Sequence, residues 1–219
     1  MEYYLTPTFY LDFDHPEVLR FALENTDETR SARENAVSLF YAVRDGFKYD
    51  PYRLDLRPSG LKASSLLKKE TGYCVEKAVL LAASARAVGI ASRLSFYIVA
   101  NHIATEKFEQ ILGTNELVFH GAAEMFLDGK WLKTTPAFNE KLCRRLRVTP
   151  LEFDGTEDAI FQQFDDQGNV FMEYLHDYGN FADMPYELAV SELKKHYPHI
   201  FQSRVYMTED LVYNLAQKV

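Results

Sequence analysis

Cys74 and His120 are the residues whose types and surroundings could do chemistry together, with Thr135 and Tyr73 beside them in the chain. Cys74 stands in "TGYCVEKAVLLAASARAVGIASRL", behind a glycine and an aromatic, at the head of an alanine-rich apolar run. A thiol in the first turn of a helix faces unpaired backbone N–H groups and the positive end of the macrodipole. Both favour the thiolate, the nucleophilic form. The plainer reading is a small buried hydrophobe, as most free cysteines are.

A partner for the thiol comes from "LVFHGAAEMFLDGKWLKTTPAF", where Asp128-Gly129 is a two-residue turn signal between two apolar runs. With those two residues as the loop, Leu127 faces Lys130, Ala122 faces Thr135 and His120 faces Ala137. Alternation then puts His120, Ala122 and Glu124 on one face, with Thr135 on that face in the neighbouring pair. The hairpin so drawn presents an imidazole and an orienting group together, the arrangement of a thiol–imidazole–orienter triad.

The elements that must hold these groups can be read on either side. A short helix opens at Pro16 and runs to about Asn25, and a second spans about Glu28 to Asp45 and ends at Gly46. Leu61 to Lys69 is a short amphipathic helix. The cysteine helix follows, with Val75, Ala78, Val79, Ala82 and Ala83 on its apolar face and Gly89 as its stop. Ala91 to Asn101 alternates as a strand, and Thr105 to Leu112 reads as helical. After Asn139 the pattern weakens. Helices are expected at Pro185 to Tyr197 and Thr208 to Lys218, and "YLHDYGNFADMP" reads as a packed loop.

The blocks "GYCVEKAVLLAASARAVGIASRL" and "HGAAEMFLDGKWLKTTPAFN" together resemble the core of the transglutaminase-like superfamily, and "AVRDGFKYDP" resembles the segment before the cysteine helix in bacterial members. The resemblance covers about residues 39–139. It implies an α+β, papain-like core with the catalytic helix packed on an antiparallel sheet, framed by N-terminal helices and a C-terminal helical elaboration. It also implies Cys74 as nucleophile and His120 as base. Where the family carries Asp in a W-x-x-x-D-P strand, this chain has "WLKTTP", with Thr135 at the Asp position. A hydroxyl can accept a bond from imidazole but brings no charge to stabilise imidazolium. A neutral third member, another carboxylate reaching in, and a degraded site all remain open at this stage. Tyr73 is the expected side-chain neighbour of an oxyanion site built from backbone N–H groups at the helix start.

Composition narrows the remaining classes. The chain has 219 residues with 14 Tyr and 16 Phe, too many aromatics for a disordered chain. A net charge of −8 without a basic run argues against nucleic acid as a partner. No apolar run reaches the roughly 18 residues of a membrane span, and "MEYYLTPTFYLDFDHPE" lacks the features of a secretory signal. Two cysteines are too few for a disulfide scaffold and fit a reducing cytoplasm. Cys143, in "NEKLCRRLRV", reads as structural. His196 and His199 lack neighbours for a metal cluster, and no P-loop, HExxH or GxGxxG is present, so no metal or cofactor is expected. The expectation is one domain over 1–219 with its core at about 28–139. It would hydrolyse an amide or peptide bond of a peptide, protein or small amide through a Cys74 thioester. The rival is a catalytically degraded module of the same fold that holds a peptide or small molecule in the old cleft.

Overall fold

The computed structural model describes residues 1–102, 106–160, 162–202 and 212–214. In chain order the helices are α1 (Pro16–Glu24), α2 (Ala32–Gly46), α3 (Ala63–Leu66), α4 (Cys74–Ala87), α5 (Glu106–Leu112), α6 (Glu140–Leu146), α7 (Tyr186–His196) and α8 (Pro198–Gln202). The strands are β1 (Lys48–Tyr49), β2 (Arg53–Asp55), β3 (Thr71–Gly72), β4 (Ser92–Asn101), β5 (Glu116–Leu127), β6 (Lys130–Thr134), β7 (Met172–Phe181) and β8 (Val212–Asn214).

A four-stranded antiparallel sheet of order β6-β5-β4-β7 carries the fold. Against it lies α4, almost wholly buried, with α1, α2 and α3 packed around it. A helix enclosed on all sides has no use for a polar face, which is why its sequence is so rich in Ala, Val and Leu. The alanines let neighbours approach closely. Ser31 and Glu34 close a capping box at the start of α2, and the Glu76 carboxylate accepts the Tyr73 N–H at 3.1 Å at the start of α4.

Two features aim the site. At Gly121 an added Cβ would come within 3.0 Å of the Val75 Cα, so the first turn of α4 rests directly on the β5 backbone and any larger residue would have to push it away. One residue earlier, β5 bulges: His120 pairs with Tyr97 and Leu117 with Val99, leaving Val118 and Phe119 opposite Ile98 alone. Phe119 takes the left-handed region at φ 62°, costly for an aromatic residue. Its ring stacks on Phe96 at 4.3 Å and leans on Tyr178, so packing holds the strained backbone. Bulges of this kind re-aim side chains, and this one immediately precedes His120.

The hairpin follows the expected register from Ala123 opposite Thr134 to Leu127 opposite Lys130, with both Asp128 and Gly129 at positive φ. Beyond Thr134 the chain departs from it. The Thr135 N–H donates to the Ala159 carbonyl at 2.9 Å, so Thr135 turns away to a neighbouring segment and does not extend the ladder to Ala122.

The C-terminal part differs from expectation in two places. "YLHDYGNFADMP" supplies most of β7, the fourth strand of the sheet, whose outward residues are mostly exposed. The helix expected over Thr208 to Lys218 lies largely outside the described residues. The three that are described, Val212–Asn214, form β8 and pair with β2. Among the described residues no helix is long and apolar enough to cross a membrane.

Candidate active site

β1 and β3 are only two residues long, yet they fix the approach to the thiol. They pair in parallel with Tyr49 opposite Gly72, two residues before Cys74. Tyr49 is therefore set beside the start of α4, where it lines the same cleft as Cys74. Its ring packs edge-on against Phe138 at 4.8 Å.

Cys74 and His120 line one cleft of about 60 Å³, together with Tyr49, Tyr73 and a ring of aliphatic and aromatic side chains. On its other side His120 borders a cavity of about 10 Å³ shared with Thr135 and Gln162. The imidazole thus stands between the thiol and the threonine. Thr135 is 5% exposed, and among the described residues its hydroxyl has no hydrogen-bond partner.

Burial decides the resting charge state. The Cys74 thiol is pushed up to about 11 by desolvation. The N–H groups of Gly121, Val75 and Cys74 itself oppose that shift, and nearby Glu76 adds to it. Desolvation pushes His120 down to about 4. The helix start does supply donors to the sulfur, as its position predicts, but the loss of water outweighs them. The resting pair is a neutral thiol and a neutral imidazole. Tyr73 is also buried, and desolvation holds its hydroxyl well above the usual range.

One group that the sequence did not flag underlies this arrangement. Lys77, one helical turn past Cys74, is fully buried and donates at 2.8 Å to each of the Arg44, Phe47 and Ala137 carbonyls. Burial lowers its pKa to about 7, yet only the ammonium form has three protons to give three acceptors. This one side chain ties α4 to the end of α2 and to the segment just after Thr135. Cys143 is buried elsewhere, its sulfur near the Gln162 amide at 3.3 Å, and its thiol is raised by desolvation. Both cysteines are free. Among the described residues no group of three or more His, Cys, Asp or Glu is placed to hold a metal ion.

A thiol at a helix start, packed on an antiparallel sheet that carries an imidazole, is a papain-like layout. Residues 20–136 match the model of the transglutaminase-like superfamily, and the chain belongs to that superfamily. Solved structures resembling it include a protein of Cytophaga hutchinsonii provisionally named a cysteine protease. That protein is 16% identical with a TM-score of 0.48, over 81% of this chain and 53% of that one. Another is a protein of Parabacteroides distasonis provisionally named a protease, 18% identical with a TM-score of 0.39, over 56% of this chain and 24% of that one. The chain therefore spans about half the length of the first and a quarter of the second. No curated protein matches the chain.

Proposed function

We propose that the protein is a thiol-dependent acyl-transfer enzyme that hydrolyses an amide or peptide bond through a thioester on Cys74. The observation that carries this reading is the shared cleft: thiol and imidazole open onto the same space, at a helix start rich in N–H donors. The substrate would be a peptide, protein or small amide, and two free cysteines suit a cytoplasmic protein.

Because the resting pair is neutral, the proton leaves sulfur as the bond forms. Sγ attacks the carbonyl carbon while the imidazole takes the thiol proton, and the carbonyl π electrons move to oxygen. The N–H groups of Gly121 and Val75, and the hydroxyls of Tyr49 and Tyr73, are the nearby donors for that oxyanion. Collapse of the tetrahedral species breaks the C–N bond, and the imidazolium gives its proton to the departing amine. Water then attacks the thioester as His120 accepts its proton. The tetrahedral species breaks the C–S bond, the imidazolium returns the proton to sulfur, and the acid leaves with the thiol restored.

One observation favours a second reading, a binding module that keeps the fold without turnover. Thr135 stands at the Asp position, and its hydroxyl makes no bond to the imidazole. Labelling with a peptide-shaped acylating probe, mapped by mass spectrometry, separates the two. Enzyme function predicts label on Cys74, lost in His120→Gln. Label on Cys143 first, or none on Cys74, refutes it.

A further inference from the structure

The cleft beside Cys74 has a composition that goes further than locating a nucleophile. Building on the reading of Cys74 as that nucleophile, we infer that this cleft receives a short, uncharged aliphatic acyl group of the substrate, held against Leu54, Leu56, Leu61, Phe108 and Leu193 while its carbonyl carbon is bonded to sulfur.

Three observations converge on that occupant. Among the described residues, none that lines the cleft is Lys, Arg, Asp or Glu. The Tyr197 hydroxyl, which could have served a polar ligand, is engaged. Tyr197 accepts from the Val118 N–H at 2.8 Å and donates to the Glu116 carbonyl at 2.7 Å. A charged acyl group would therefore leave water without gaining a counter-charge, at a cost of several kcal/mol. The volume, about 60 Å³, is well under the roughly 150 Å³ of a cavity that holds benzene, so the space suits about four carbons.

The contrast with the adjoining space supports the assignment. Past Tyr49 a wider cleft of about 130 Å³ continues, and it carries Asp50, Asn101 and Arg145. Charged groups line that space, whereas among the described residues none lines the cleft beside Cys74. Once the thioester forms, the acyl group is tethered to the sulfur and must occupy the apolar side.

The test uses two esters of the same shape and different charge on the full chain: p-nitrophenyl 3,3-dimethylbutyrate and its isostere, p-nitrophenyl trimethylammonioacetate. Each rate of Cys74 acylation, followed by nitrophenolate release and intact mass, is divided by that ester's rate with N-acetylcysteine. The neutral ester should be favoured by about tenfold or more. In Val190→Asp, which puts a carboxylate on the half-buried α7 wall of the cleft, the ratio should move toward the cationic ester by about tenfold. Equal normalised rates, or a wild-type preference for the cation, overturn the inference and leave Cys74 as nucleophile. Failure of both esters to acylate Cys74 overturns the nucleophile reading and the inference with it. If Val190→Asp does not fold, the wild-type pair alone decides.

Discussion

The two sides of His120 are built differently. Toward Cys74 the structure is dense with specific devices: backbone N–H groups at the sulfur, a tyrosine fixed by strand pairing, a glycine that lets α4 touch β5, and a strained bulge held by stacked rings. Toward Thr135 there is a small cavity and a hydroxyl that has no partner among the described residues. The nucleophile half is over-determined, whereas the orienting half is sparse. The devices on that side point to chemistry centred on sulfur.

The sharpest break in that comparison comes from Cys74→Ala. Removing the nucleophile should lower turnover of an amide or activated ester by at least about a thousandfold, while the fold survives because the site is a tight apolar pocket. Circular dichroism and single-turnover kinetics check both parts. Residual turnover within tenfold of the parent would place the chemistry elsewhere.

Lys77→Met comes next. It keeps length and apolar bulk but leaves three buried carbonyls unpaired, so the protein should lose about 3 kcal/mol or more in urea unfolding. The cost should be far greater than for an exposed lysine such as Lys68, whose replacement should stay within about 0.5 kcal/mol.

The burial of His120 has a pH signature of similar size. Its folded pKa of about 4 lies below the ordinary 6.5, so between those values the unfolded chain binds the extra proton. Stability should therefore rise as pH increases from 4 to 6.5, by up to about 3 kcal/mol, and level off above. Denaturant titrations across that window should show the slope in the parent and its loss in His120→Gln. Parallel curves would mean that His120 titrates normally when folded.

Thr135 carries the smallest effects, and they sharpen the contrast most. An unpartnered buried hydroxyl costs free energy, so Thr135→Val should be neutral or stabilising by about 1 kcal/mol, with little change in acylation rate. Thr135→Asp should stabilise imidazolium and lower the apparent pKa of Cys74 alkylation, which in the parent lies above that of free cysteine. A tenfold loss of rate in Thr135→Val would show that the hydroxyl orients the base after all.

Much of this was legible in the sequence because the signals were local. The Asp-Gly turn set the hairpin register, and the alanine run after Cys74 announced an enclosed helix. What escaped notice depends on residues far apart or on backbone without a marker. β7 is an edge strand with a largely exposed face, so its residues lack the apolar alternation that reveals a strand. The bulge uses Phe119 at positive φ, where a glycine would have been the signal. Lys77 is buried because carbonyls 30, 33 and 60 positions away converge on it, and no short window contains them. The macrodipole argument had the right sign at Cys74, but it was outweighed by desolvation, which the sequence does not display.

The central claim is that His120 moves the proton that lets Cys74 form an acyl bond. Acid-quenched intact mass, with peptide mapping after a burst of p-nitrophenyl ester, tests it directly. The account predicts one acyl group per chain, on Cys74, formed at least about a hundredfold more slowly in His120→Gln, with Cys143 unmodified. Acylation of Cys74 at the parent rate in His120→Gln, or an acyl group on Cys143, would contradict it.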